Sequence, residues 1–210
     1  MRRNRFIHGA RTDKSILAFE AFATGNHYGP DLALREALLE ACLESSQCQH
    51  TFPDNIEGAM NRGAIDLYYN TSLAWFCMQP AGHTPTRRST FDCLLARSIP
   101  VFFSEESVAH FPFADAVDPS EFSLLVSQDD VAELFSSILP NIPEATRRDK
   151  LESIAKYAHL FQYSLTPHTG LIKWDNVNQI DVWDDAFTYF LKTLIVRAKD
   201  RAWLQHVDLS

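Results

Sequence analysis

The 210-residue chain contains only seven glycines and has no internal repeat or low-complexity run, which excludes fibrous and loop-dominated architectures. No stretch approaches the roughly 18 apolar residues that a membrane-spanning helix needs. The start of the chain is basic, but Asp13, Lys14 and Glu20 interrupt the apolar core a signal peptide would require. That pattern predicts either a cytosolic chain or a piece of a longer protein, with no membrane contact by this segment itself. Long basic stripes are missing too. Beyond Met1-Arg2-Arg3-Asn4-Arg5 only isolated arginine pairs occur, and a net charge of -8 argues against a nucleic-acid footprint.

Metal-binding patterns are equally scarce. The four cysteines form no C-x-x-C, the histidines show no ligand spacing, and no Asp-x-Asp run occurs. No metal or other cofactor is expected. Cys42 and Cys48 flank a polar Ser45-Ser46-Gln47 turn and are either a disulfide or two free thiols. Cys77 and Cys93 sit in apolar runs and read as core residues.

What is present is an ordinary globular composition, 46% apolar and 22% charged, with fifteen phenylalanines pointing to a dense aromatic core. Strand-like and helix-like segments alternate, which predicts an α/β fold with a mainly parallel sheet. Strands are expected at Ile16 to Phe22, Leu73 to Met78, Ile99 to Phe103 and Phe122 to Val126. Helices are expected at Leu32 to Leu43 with Asp31 as N-cap, from a Thr86 N-cap through Arg97, and from Ser127-Gln128-Asp129-Asp130 to Leu139. Two longer ones follow, Glu144 to Phe161 and Trp183 to Trp203. The division is then an extension at 1–14, a Rossmann-like domain at 15–164, and a helical segment at 165–210 packing on the same domain.

One run stands apart: Ala81-Gly82-His83-Thr84-Pro85-Thr86-Arg87-Arg88-Ser89-Thr90-Phe91-Asp92. It puts two cations at a helix start, where free N–H groups and the dipole are already positive. The repulsion costs a few tenths of a kcal/mol each, roughly. A strongly charged anion such as a diphosphate would offset it. Because the chain as a whole is acidic, such binding has to come from a local pocket. Gly25, Gly82 and Ser104-Glu105-Glu106 all follow expected strands, so they should share one carboxyl-end rim with Arg87 and Arg88. Asp92 lies one turn beyond Arg88, either to accept from ribose hydroxyls or to form a plain helical ion pair with it.

Three runs carry a resemblance: Phe76-Cys77-Met78-Gln79-Pro80-Ala81-Gly82, Thr86-Arg87-Arg88-Ser89-Thr90-Phe91-Asp92 and Ile99-Pro100-Val101-Phe102-Phe103. Together they resemble the exostosin family of glycosyltransferases, and within it the plant and algal branch that includes xyloglucan galactosyltransferases. Weaker likenesses cover Phe22-Ala23-Thr24-Gly25, the helix containing Arg35, and Asp185-Ala186-Phe187. The resemblance implies the C-terminal donor-binding half of a two-domain GT-B enzyme. It implies transfer with inversion from a nucleotide-diphosphate sugar, usually UDP-linked, to a glycan acceptor, in the Golgi lumen if the segment belongs to a longer anchored protein. Arg87 and Arg88 map onto the arginines expected at the diphosphate, Asp92 onto the position expected at the ribose, and Gly25, Gly82 and Ser89 onto the rest of the donor site. No catalytic base is named, since the N-terminal half would normally deliver it.

The chain departs from that pattern at His83, where the branch has Asp, and at Arg97-Ser98, where it has Gly-Cys. Arg97 must therefore end its helix without the glycine that usually supplies a left-handed turn. His83 is either a ligand contact or a solvated loop residue. Glu105-Glu106 is either a carboxylate pair near the sugar or the polar start of a helix. Asn70-Thr71-Ser72 is a formal glycosylation sequon abutting an apolar strand. Two rival readings remain: a noncatalytic nucleotide-sugar-binding domain derived from such an enzyme, and an unrelated Rossmann-like binding protein.

Overall fold

The computed structural model describes residues 13–22, 31–51, 62–113, 117–162 and 185–200. A five-stranded sheet, parallel at every pairing, organises them: β1 (Ile16–Glu20), β2 (Cys48–His50), β3 (Ala74–Gln79), β4 (Ile99–Phe102) and β5 (Leu124–Leu125), in the order β2-β1-β3-β4-β5. Both faces of its centre are covered, which is why β3 and β4 read as near-continuous apolar runs rather than alternating ones. The helices between strands are α1 (Leu32–Glu44), α2 (Arg62–Leu73), α3 (Arg88–Leu95) and α4 (Glu105–Ala109), with α5 (Glu144–Tyr157) and α6 (Ala186–Asp200) after the sheet.

The strand order is that of a doubly wound sheet. β1 and β3 are neighbours, yet the chain leaves β1 for β2 and leaves β3 for β4, so the connections part company between them. That parting opens a crevice at the carboxyl ends of β1 and β3, the place where such sheets bind ligands.

Phe22, Phe76, Phe102, Phe122 and Phe135 are the largest fully buried rings, each contributing about 2–3 kcal/mol of burial. Phe111 joins them, touching Phe91, Phe102, Phe122 and Phe161. Arg147 of α5 ties the segment before it, donating to the carbonyls of Leu139, Pro140 and Ile142 while lying over the Trp75 and Phe76 rings. α6 docks through Tyr189, whose ring meets Phe113 edge-on at 4.9 Å, and turns Phe187, Phe190, Leu194 and Ile195 outward.

Several local expectations change. Cys48–His50 is a strand, too short at three residues to show an alternation, and α2 carries Gly63 and the polar Asn70-Thr71-Ser72, which mask its helical period. The sequon forms its last turn, with the Thr71 hydroxyl donating to the Leu67 carbonyl. The segment after Ser127 is not α-helical. Ser127 Oγ accepts the Asp129 N–H two residues on, and a tight 3₁₀ stretch (Gln128–Glu133) runs into a π-turn (Leu134–Ile138) that brings Leu134, Phe135 and Leu139 inward together. Cys42 and Cys48 are bridged, a short loop whose closure is worth about 2 kcal/mol in the chain-entropy picture. Cys77 and Cys93 are buried as expected and are also paired, joining β3 to α3.

Arg97 solves its helix end by adopting the left-handed conformation itself, at φ 56°. Ser98 N–H then donates to Cys93 and Arg97 N–H to Leu94, both at 3.0 Å, the paired bonds of a Schellman close.

Candidate functional site

β3 ends at Gln79, and Pro80 follows with no N–H to extend the ladder. The loop from here to α3 is held from several sides. Gly82 N–H donates to the Thr84 carbonyl, Thr84 Oγ1 to the Thr86 carbonyl, and Ser107 of α4 to the Pro85 carbonyl. Gln79 Oε1 accepts from Ser89 Oγ at 2.8 Å and Thr90 Oγ1 at 3.2 Å, locking the strand end to the first turn of α3. Ser89 is thus committed within the protein.

Arg87, not Thr86, is the N-cap of α3, with an extended backbone and no side-chain cap, so the helix start is left open. Its side chain folds back toward the sheet, where Nη1 donates to the Pro80 carbonyl at 3.2 Å. Arg35 arrives from α1, the helix after β1. It is only 3% exposed, and its Nη2 donates to the Ala81 carbonyl at 2.7 Å. The two guanidiniums flank Gly82: a Cβ built there would lie 3.5 Å from Arg87 Cγ and 3.9 Å from Arg35 Nη2. Burial, then the charge of Arg35, lowers the Arg87 pKa to about 10, which still leaves it a cation at neutral pH. Among the described residues no carboxylate forms an ion pair with Arg87. Two like charges are therefore concentrated at the β1/β3 crevice.

Arg88 sits differently. Its side chain is 90% exposed and its Nε lies 3.6 Å from the half-exposed Asp92 carboxylate, the i,i+4 ion pair. Partial burial raises the Asp92 pKa against the opposing pull of Arg88. Of the six residues expected at the site, Gly82 and Arg87 come together, Ser89 supports them through Gln79, and Arg88 with Asp92 forms a separate pair on α3. Gly25 lies outside the described residues. Arg35, 46 positions before the Ala81 carbonyl it reaches, went unassigned; its signal was the weaker likeness around α1, without a role attached. His83, Glu105 and Glu106 are exposed.

A metal finds no thiolate site here. Glu20, Cys42 and Cys48 are a three-residue group close enough to share an ion, but both sulfurs are in the disulfide.

The sequence matches the model of the exostosin GT47 domain over residues 5–142. The chain belongs to the exostosin GT47 family, a family of glycosyltransferases. Among curated proteins it is 28% identical over 169 residues to a "probable xyloglucan galactosyltransferase" of Arabidopsis thaliana, covering 80% of this chain and 28% of that protein. It is 26% identical over 178 residues to a xyloglucan-specific galacturonosyltransferase of the same plant, covering 83% and 25%. A "probable arabinosyltransferase", also from Arabidopsis thaliana, is 28% identical over 137 residues, covering 65% and 28%. The chain thus spans about a quarter of the length of these relatives. GT47-type exostosin glycosyltransferases typically act without a required metal.

Proposed function

We propose that this chain is the donor-binding half of an inverting glycosyltransferase, a Rossmann-like GT-B half that holds a UDP-sugar at the β1/β3 crevice. The observation that carries this reading is the convergence of Arg35 and Arg87 on Gly82. A buried guanidinium at Arg35 and a half-buried one at Arg87, the latter without an ion-paired carboxylate among the described residues, suit a diphosphate, and the uncapped start of α3 adds N–H donors beside them. In this reading Arg87 and Arg35 neutralise the charge that develops on the departing diphosphate, the part a metal plays elsewhere. Gly82 lets the ligand approach, Gly25, which follows β1 in the sequence, belongs to the same donor site, and Asp92 leaves Arg88 to accept from the ribose hydroxyls. Arg88 then meets the outer side of the diphosphate, and Ser89 keeps Gln79 and the helix start in register.

The acceptor glycan and the base that activates its hydroxyl are assigned to another part of a full-length enzyme. The names of the relatives favour the xyloglucan branch and include galactosyl, galacturonosyl and arabinosyl transfer, so the donor sugar is left as a UDP-linked hexose, pentose or uronate. Two disulfides suit an oxidising compartment, in keeping with a Golgi lumen. Among the described residues no helix is long and apolar enough to cross a membrane.

Saturation-transfer NMR with UDP-galactose, UDP-galacturonate and UDP-arabinose tests the reading. Uridine and ribose protons of all three should receive saturation from the protein, an effect competed away by UDP and not by uridine. An absence of contact with every nucleotide would remove the donor site. Binding by a full-length protein that transfers no sugar to xyloglucan or pectic acceptors would instead favour a noncatalytic nucleotide-sugar-binding domain.

A further inference from the structure

Hydroxyl side chains in the first turn of a helix ordinarily bond to backbone close by in the chain. In α3 they reach out of the helix instead. Ser89 Oγ and Thr90 Oγ1 both donate to Gln79 Oε1, at 2.8 Å and 3.2 Å, and so engage both lone pairs of that oxygen. The Gln79 amide nitrogen in turn donates to the Ser89 carbonyl at 3.5 Å. Gln79 is only 5% exposed and Thr90 1%, so these bonds form away from competing water.

Two sets of donors meet beside this residue. The Thr90 N–H is committed to the Arg87 carbonyl at 3.1 Å, whereas those of Arg88 and Ser89 have no acceptor among the described residues. The chain leaving Gln79 supplies the carbonyls of Pro80 and Ala81, to which Arg87 and Arg35 donate. One side chain therefore stands at the root of both the open N–H groups and the two guanidiniums.

We propose that Gln79 is a positioning residue for the anion site, its neutral amide oxygen holding the first turn of α3 so that the Arg88 and Ser89 N–H groups meet the diphosphate. The inference rests on reading the crevice at Gly82 as the diphosphate site. Neutrality matters as much as shape. An amide oxygen takes both hydroxyl protons without offering Arg87 or Arg35 a counter-charge. A carboxylate in its place accepts the same two bonds but brings a full negative charge near both guanidiniums, where it competes with the ligand.

Calorimetry and ¹⁵N-correlation spectra of the chain with UDP provide the test. In the parent, UDP should move the Arg88 and Ser89 amide protons downfield as phosphate oxygens reach them. Gln79→Met should weaken UDP by about fivefold, and so should Ser89→Ala combined with Thr90→Val. Joining all of these substitutions should cost no more than Gln79→Met alone, because they break the same bonds. Gln79→Glu keeps those bonds and should unfold at no lower urea concentration than the parent, yet bind UDP more weakly by about tenfold or more. A purely structural role would leave the affinity of that variant intact. Parental affinity in folded Gln79→Glu overturns the inference while the site stands, as do UDP-induced amide shifts of parental size in folded Gln79→Met. If the parent itself binds no UDP, the diphosphate reading fails and the inference falls with it.

Discussion

Arg35 and Arg87 meet at Gly82 from two different helices, α1 after β1 and α3 after β3, so the crevice between those strands gathers two cations far apart in sequence. An arrangement of this kind costs the empty protein stability and returns it when an anion binds. Replacing Arg87 with Met removes a half-buried like charge and keeps most of the volume. The variant should be more stable than the parent in the absence of ligand, by about 1–3 kcal/mol in urea unfolding, and should lose UDP binding. Destabilisation together with unchanged UDP affinity would assign Arg87 a packing role.

Gly82 offers a cleaner steric test. Its backbone lies outside the left-handed region, and an added Cβ makes only ordinary contacts with the protein. Gly82→Ala should therefore fold with stability within about 0.5 kcal/mol of the parent. If a ligand approaches this backbone closely, UDP affinity falls several-fold all the same. Equal affinity would place the diphosphate elsewhere on the rim.

Arg97 carries a conformational cost that a glycine would not, about 1 kcal/mol for a non-glycine residue in the left-handed region. Arg97→Gly should raise the unfolding free energy in urea by that order and leave nucleotide binding alone, since the residue caps the far end of α3. A lowered midpoint would show that contacts of the arginine side chain outweigh the backbone strain.

Much of this fold could be read in the sequence because its signals were local and strong. The apolar run at Phe76 to Met78, the Ile99-Pro100-Val101 strand and the glycine-to-arginine loop all lie where expected, and the family match agrees with the three runs that carried the resemblance. What stayed hidden was long-range or short. β2 has too few residues for a period, and α2 mixes helix formers with a polar sequon. The role of Arg35 is invisible in one dimension, because only the β1–β3 adjacency brings it beside Arg87. Spacing alone likewise could not decide between the Arg88–Asp92 ion pair and a turn toward ligand, and in the folded chain the two side chains form the pair.

Lys14 predicts a pH dependence. Its ammonium donates to the Ser72 carbonyl at 2.9 Å, and burial, followed by the charge of Arg97, lowers its pKa to about 7 from 10.5. Between those values the unfolded chain binds the extra proton and the folded chain does not, so stability rises with pH across that window. The gain is lost again as pH falls toward 7. Urea midpoints measured from pH 6.5 to 9.5 should climb in the parent, and Lys14→Met should flatten the climb while raising stability at the acid end. Parallel curves for the two proteins would mean that Lys14 keeps an ordinary pKa.

Calorimetric titration of UDP into the parent chain, Arg87→Ala and Arg88→Ala tests the central claim most directly. Loss of a charge-assisted bond at the diphosphate should weaken binding by about tenfold or more in Arg87→Ala, and the exposed Arg88 should matter less, by about threefold. One affinity shared by all three proteins would contradict the donor site proposed at Gly82.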